Sequence, residues 1–454
     1  MPTKPEVQTL NANSVQILNA IRNEAPSSYR DYVPVAENNT ASIRRIGEII
    51  MQYQPLQNDF LKALVNRIGR VLITSKLYSN PWADFKKGML EFGETVEEVF
   101  VNLAKPHQFD PAVAENEVFK REIPDVRAAF HSINYQKFYK TTISNDQLRQ
   151  AFLSWDGITD LISKIIDAMY TGANYDEFIT MKYLIARLAL EGNIYPANIP
   201  VVNADNAKSI VSTIKGVSNE LEFLSTKYNM AGVATYTNKN EQYIILNAAF
   251  DAVIDVEVLA SAFNIDKAQF MGRRVLVDSF ANLDNDRLSQ LFPDFVPFTR
   301  EQIAQLNTIP AVILDRDWFM IFDNFYNFTE HYNGEGLYWN YWYHVWKTFS
   351  ASPFANGILF TTETPGITSV TVSPATATVA KGGSLQLSAT VVSTGFASKG
   401  VTWSVTGAAD SGTTVSPSGL LYVNPNETAT TITVTATSIY NSAKTGTSTI
   451  TVST

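Results

Sequence analysis

Three groups of residues in this 454-residue chain have types and spacings that could do chemistry. Glu94, Glu97 and Glu98 in one stretch, with Asp315, Asp317 and Asp323 in another, could supply the carboxylate pair of a glycoside hydrolase. Such a pair must sit ~5–10 Å apart across a sugar-sized cleft. Charge runs are more often solvated faces or ion-pair partners, and that reading is favoured. Glu330-His331 with Glu335 could hold a metal ion, but the four histidines, His107, His131, His331 and His344, form no His-Glu-x-x-His pair, and a solvated turn is favoured. The aromatics from Trp339 to Trp346 could stack sugars. They fall on both faces of a strand, however, which favours core plus interface. There is no Gly-x-x-x-x-Gly-Lys-Ser/Thr phosphate loop, and Gly216-Val217-Ser218 lacks the closing glycine of a nucleophile elbow. No catalytic, cofactor or metal residue is therefore assigned, and the chain is read as a non-enzyme.

The elements around these residues centre on Ala311–Phe360. Two apolar runs, Ala311–Phe328 and Leu337–Phe349, flank Asn333-Gly334-Glu335-Gly336, a strong turn signal because Asn and Gly tolerate positive φ. On the second run Leu337, Trp339, Tyr341, Tyr343 and Val345 share one face. Tyr338, Asn340, Trp342, His344 and Trp346 share the other. Aromatics on both faces call for cover on both, one by this chain's core and the other by a helix or a neighbouring subunit. Phe85–Val101, with Lys86 and Lys87 set against Glu91, Glu94, Glu97 and Glu98, reads as a charged hairpin, marginal unless it lies on another surface. Residues 1–55 read as an extended arm with short helices near Ser14–Asn23 and Ser42–Gln52. Asn58-Asp59 caps an apolar helix through Ile68, followed by a β-prone Val71–Thr74. Ser144–Gln147 is a capping box ahead of Leu148, Phe152, Trp155, Ile162, Ile166 and Met169. Thr171-Gly172 should stop that helix, and a second should run from Asn174 to near Gly192. Residues 195–310 mix helices at Ser209–Tyr228 and Val256–Phe263 with strands at Tyr243–Leu246 and Val275–Asp278.

Composition bounds the partners. A net charge of −9 argues against a general nucleic-acid binder held by a basic face. With no cysteine there are no disulfides, and the chain reads as a soluble cytoplasmic product without an export signal or an ~18-residue apolar span. At Gly366 charges become sparse and Ser, Thr, Gly and Val dominate. Short alternating strands punctuated by Gly382-Gly383, Thr394-Gly395, Ser418-Gly419 and Asn424-Pro425-Asn426 predict a β-sandwich behind a Thr361–Pro365 linker, with Trp403 as core anchor.

Several stretches, in order, carry a resemblance: Asn58–Gly69, Phe85–Glu98, Phe119–Tyr139, Ala151–Trp155, Val256–Asn264, Asp315–Asn324 and Gly336–Asn356. Through them the chain resembles the major capsid proteins of small short-tailed bacteriophages of the Picovirinae type. The C-terminal words Val370–Pro374, Lys381–Ser384 and Val401–Val405 resemble the bacterial immunoglobulin-like group 2 domain. The resemblance implies an α+β tailed-phage capsid fold of the Hong Kong 97 type. Its parts would be an N-terminal arm (1–55) and a shell domain (56–362), then an immunoglobulin-like domain (366–454). The shell domain would contain an extended loop (82–110), a spine helix with a following helix (144–191), an axial domain (195–310) and peripheral-domain strands (311–360). It implies self-assembly as hexamers and pentamers into an icosahedral or prolate head, T=3 or similar, made in the host cytoplasm. Partners would be a scaffolding protein, a portal or connector, packaged double-stranded DNA held non-specifically, and head fibres or host glycans at an outward C-terminal domain. Lys86, Lys87, Glu94, Glu97, Glu98, Trp342 and Trp346 are the expected subunit contacts. The rival readings are a surface adhesin with an immunoglobulin-like module and a glycan-active enzyme.

Overall fold

The structure is a computed structural model that describes residues 14–60, 79–90, 95–104, 106–107, 124–144, 157–203, 205–259 and 273–453. The expected helix beyond residue 60, the strand at Val71–Thr74, Glu94, and the capping box past Ser144 with Leu148, Phe152 and Trp155 lie outside these residues.

Residues 14–60 carry the helices expected near Ser14–Asn23 and Ser42–Gln52 and are helical for most of their length. They fold as α1 (Ser14–Glu24), α2 (Ser27–Tyr32), α3 (Thr40–Gln52) and a helical segment over 54–60, which begins ahead of the Asn58-Asp59 cap expected there. In α3, Ile43, Ile46 and Ile50 repeat at helical spacing and are buried, and the Ser42 amide donates to Asn39 Oδ1 at 2.7 Å. Asn19 ties α1 to the following chain, donating to Ala36 O (2.9 Å) and accepting from Ala36 N (2.7 Å). A 34-residue helix, α4 (Gly157–Leu190), runs ~51 Å straight through Thr171-Gly172. Glycine costs a helix only ~1 kcal/mol, and a Cβ on Gly172 would meet Tyr139 and the Arg287 guanidinium within 3.1–3.4 Å. The glycine therefore marks a close approach instead of a stop.

Two sheets flank α4. In the first, β1 (Gly88–Met89), β9 (Phe319–Asn333), β10 (Tyr338–Ala351) and β4 (Tyr135–Ser144) stand in the order β1-β9-β10-β4. The β9–β10 hairpin turns at Asn333-Gly334, with Asn333 Oδ1 accepting from the amides of Glu335 and Gly336. The second, mixed sheet has the order β5-β11-β8-β6-β7: β5 is Tyr195–Asn198, β6 Gln242–Asn247, β7 Arg273–Val277, β8 Ala311–Asp315 and β11 Gly357–Thr361. Both ends of the aromatic stretch thus join the strands of 195–277, because Trp318 and its neighbours break the first apolar run at Asp315. Of the helices expected in this region, α5 (Ala207–Glu220) ends eight residues short of Tyr228, and α6 (Ala248–Leu259) begins eight residues ahead of Val256. Two further helices, α7 (Asn285–Leu291) and α8 (Arg300–Leu306), pack near α4. Among the described residues no helix is long and apolar enough to cross a membrane.

Residues 366–453 are all β, in nine strands from β12 (Gly366–Ser373) to β20 (Thr445–Ser453), with a core of their own that includes Leu387, Leu421, Val423, Val434, Ala436 and Ile450. Trp403 lies with Val401 and Val405 on the inward face of β16 (Val401–Thr406) and packs against this core, half-buried. The smaller Leu421, Val423 and Val434 fill the centre instead.

Candidate assembly surfaces

The charged stretch does not close on itself as a hairpin. Its base enters the first sheet as β1, parallel to β9, and β2 (Val96–Val101) pairs antiparallel with β3 (Val126–His131), 25 residues further on. Alternation gives this two-stranded ribbon two unlike faces. The inward face lies on its own body. Phe100 stacks on Phe354 with centroids 5.5 Å apart. Buried His131 lies between Glu98 Oε2 (3.1 Å) and Ser350 Oγ (2.8 Å), and Ser352 Oγ donates to Glu98 Oε1 at 2.7 Å. The Arg127 guanidinium donates to the Ala231 carbonyl. An open groove of about 330 Å³ separates Ala129 and His131 from Leu184, Leu188, Met230 and Pro353. The ribbon is thus fastened by polar contacts along one side more than by continuous packing.

The outward face is apolar. Val99, Val101, Val126 and Phe130 lie on it at 53%, 60%, 52% and 67% exposure, with Glu97 among them. Valine and phenylalanine suit a strand, yet here they face away from the core. Exposed apolar groups gathered on one surface mark interaction sites. The sequence signal for them was the alternation Glu97/Val99/Val101, but it names a face only once the partner strand at Val126 is known.

On the aromatic hairpin the two faces read as expected for the aromatics from Trp339 on, while Leu337, expected on the inward face, lies exposed in the turn and Asn340 of the other face is buried. Trp339, Tyr341, Tyr343 and Val345 are buried toward the body, where Tyr343 stacks on Phe328 (4.7 Å) and Tyr170 (5.3 Å). Trp342, His344 and Trp346 stand half-buried on the other face. There the Lys140 ammonium lies 5.6 Å from the Trp342 ring, Phe325 and Trp346 approach to 4.9 Å, and exposed Phe138 lies 5.8 Å from His344. This face is semi-aromatic and solvent-accessible.

Lys86, Lys87 and Glu98 are engaged within the chain. Lys87 pairs with Asp317, and Glu98 holds His131. Lys86 reaches Asp323 (2.6 Å) and Glu177 (3.2 Å), and Lys347 pairs with Glu177 and with Asp323 (3.2 Å). Asn80 Nδ2 donates to Glu177 Oε1 at 2.6 Å. This two-plus, two-minus cluster joins α4, the chain before β1, β9 and β10. A bulge makes it possible: Asn324 is the extra residue opposite Trp346–Lys347, and it shifts β9 in phase so that Asp323 pairs with Lys347. Burial pushes the Glu177 carboxyl up, but Lys347 and Lys86 outweigh it and hold it below the ordinary range. Burial likewise works against the Lys347 charge, and Glu177 and Asp323 reverse it, leaving the amine raised. The sequence offered no route to Lys347 or Glu177, which lie 170 residues apart.

Of the carboxylates weighed for sugar chemistry, the three aspartates are engaged within the chain. Asp323 is in the cluster, Asp317 binds Lys87, and half-buried Asp315 accepts from the Thr237 hydroxyl and the Asp317 amide. Among the described residues no group of three or more His, Asp or Glu side chains is arranged to hold a metal ion.

A sequence profile described as Phi29-like phage major capsid protein matches residues 18–361. The major capsid protein of Bacillus phage B103 is 36% identical over 387 residues, covering 84% of this chain and 80% of that protein. That of Streptococcus phage Cp-1 is 27% identical over 366 residues, covering 76% and 93%. Among solved structures, the capsid of Staphylococcus phage Andhra aligns over 62% of this chain and 84% of that chain, with a TM-score of 0.46 at 18% identity. The profile match and the relatives together show that the chain belongs to the Phi29-like phage major capsid protein family and is a component of the virion.

Proposed function

We propose that this capsid protein closes the head shell around double-stranded DNA by seating the outward face of its β2–β3 ribbon on a neighbouring copy. The observation that carries the reading is the row Val99, Val101, Val126 and Phe130, exposed on a ribbon whose other face is already occupied. Obligate contacts bury ~2,000–5,000 Å², and many modest contacts made at once close a shell by avidity. Glu97 on that face, and Trp342 and Trp346 on the aromatic sheet, are the expected contacts from the earlier set. Lys86, Lys87 and Glu98 act instead by fixing the ribbon and its base to the body. Hexamers and pentamers, a scaffolding protein, a portal and non-specifically held DNA complete the proposed assembly. The Hong Kong 97-type arrangement of arm, extended loop, axial and peripheral domains is supported by the long α4 beside two sheets. The C-terminal domain, with its own core, is read as immunoglobulin-like and outward-facing, where head fibres or host glycans would meet it. The test is electron microscopy of Phe130→Asp and Val99→Asp proteins co-expressed with the scaffolding protein. Folded subunits without shells are expected, and shells in normal yield would overturn the reading.

A further inference from the structure

The turn between β15 (Ser388–Thr394) and β16 (Val401–Thr406) breaks a local rule. The Ala397 amide donates to Thr394 O at 3.1 Å, and both central residues have positive φ, 56° at Gly395 and 66° at Phe396. Tight turns that are left-handed at both central positions use Gly, Asn or Asp there, because a bulky side chain collides with its own backbone. A phenylalanine in this place needs a reason elsewhere. Its ring is 2% exposed, and it belongs to the continuous core of the body, with Ile185, Ala189 and Ile194, instead of the core of the C-terminal domain that carries it.

The surroundings fit a lock. Gly192, at φ 77°, caps the C-terminal end of α4 in the manner of a left-handed helix stop. A Cβ on it would lie 2.9 Å from Ala397 O and from Ser398 Cα, so the turn rests directly on that cap. Lys399 Nζ donates to the Leu190 carbonyl, in the last turn of α4, at 2.9 Å. The connecting chain is also held: Thr362 N donates to Thr308 O (3.0 Å), Asn198 Nδ2 to Glu363 O (3.0 Å), and Thr394 Oγ1 to Thr364 O (3.2 Å). The Thr361–Pro365 segment expected as a linker is a strapped joint.

We propose that Phe396 is a plug that locks the C-terminal domain onto the α4 cap, so that domain and body form one rigid unit that unfolds cooperatively. The C-terminal domain is then a fixed part of each subunit's shape, not a module swinging on a tether. Phe396→Gly separates this from a role in the domain's own folding, because glycine relieves the turn while removing the plug. In calorimetry of the unassembled full-length subunit, wild type is expected to melt in a single transition. Phe396→Gly is expected to split it in two, with the C-terminal domain's own transition intact, and to speed proteolysis between residues 362 and 365 roughly tenfold or more, as cleavage follows the open population. Gly192→Ala attacks the same contact from the body's side and should also free the domain with its transition preserved. Two transitions in wild type, an unsplit melt with unchanged cleavage in both variants, or loss of the C-terminal domain's fold in Phe396→Gly would each overturn the proposal.

Discussion

Replacing Lys347 by Met tests whether the buried charge cluster holds the aromatic hairpin to α4. Lys347 is 4% exposed and Glu177 2%, and with Lys86 and Asp323 the four charges sum to zero. Methionine keeps the volume and leaves a net charge of −1 in the same space. Breaking a buried pair by removing one partner costs ~3–5 kcal/mol, because the remaining charge stays desolvated. The sign with pH follows from the shifts. Glu177 is depressed in the folded state, so its contribution is present above the ordinary carboxylate pKa of 4.5 and is lost as pH falls toward the folded value. Lys347 is raised, so its contribution is present below 10.5 and is lost as pH rises through the folded value. Without Lys347, burial acts on Glu177 against Lys86 and the Asn80 amide alone, its carboxyl takes up a proton more readily, and acid relieves the unpaired charge. The gap between wild type and variant in urea unfolding of the unassembled subunit is therefore largest near pH 7 and narrows toward about pH 4.5. Adding Glu177→Gln to Lys347→Met restores neutrality and recovers a large part of the loss. A deficit below ~1 kcal/mol at pH 7, where a buried unpaired charge should cost several times that, or one that does not change with acidification, would refute the reasoning.

Tyr343→Ala empties the centre of the inner aromatic stack with Phe328, Tyr170 and Tyr326, and is expected to cost ~3–5 kcal/mol in the same unfolding assay. Glu98→Gln weakens the fastening at His131 and Ser352, and hydrogen exchange of the β2 and β3 amides is expected to speed up while α4 amides keep their protection. In the C-terminal domain the Thr413 hydroxyl and the amides of Ala429, Ala409 and Asp410 hold the Glu427 carboxyl down to about 2. Glu427→Gln should lower the subunit's melting temperature at pH 7. Because the carboxyl is depressed, the gap should persist at about pH 5 and close only as pH falls through about 2, as followed by circular dichroism.

What the sequence made legible is what depends on short range. The β9–β10 turn and its two faces follow from Asn333-Gly334 and from period-two alternation, and both are set within a few residues. The C-terminal strands follow from the same alternation. Gly172 misled because glycine in a helix has two meanings, a stop or a place where another chain comes close. Only the position of Tyr139 and Arg287 decides between them. The charges of the 82–110 stretch misled in a related way. Lys86 and Glu98 read as a surface waiting for a neighbour, yet their partners are Asp323, Glu177, His131 and Ser352, brought in by chain folding. Trp403 points inward with Val401 and Val405 but stays half-buried, and Leu421, Val423 and Val434 take the centre of its domain.

These placements assign different work to the two faces of the ribbon. A subunit that kept both faces bare until assembly would carry a wide apolar surface through its life as a free molecule, which invites aggregation. Here the inward face is satisfied within the chain by Glu98, His131, Phe100 and Arg127. On the described part of the ribbon the row Val99, Val101, Val126 and Phe130 is left exposed. A groove instead of a filled core lies along that polar fastening. A contact that is set before neighbours arrive, yet not welded to the body, lets one sequence meet neighbours at slightly different angles, as a closed shell of hexamers and pentamers would require.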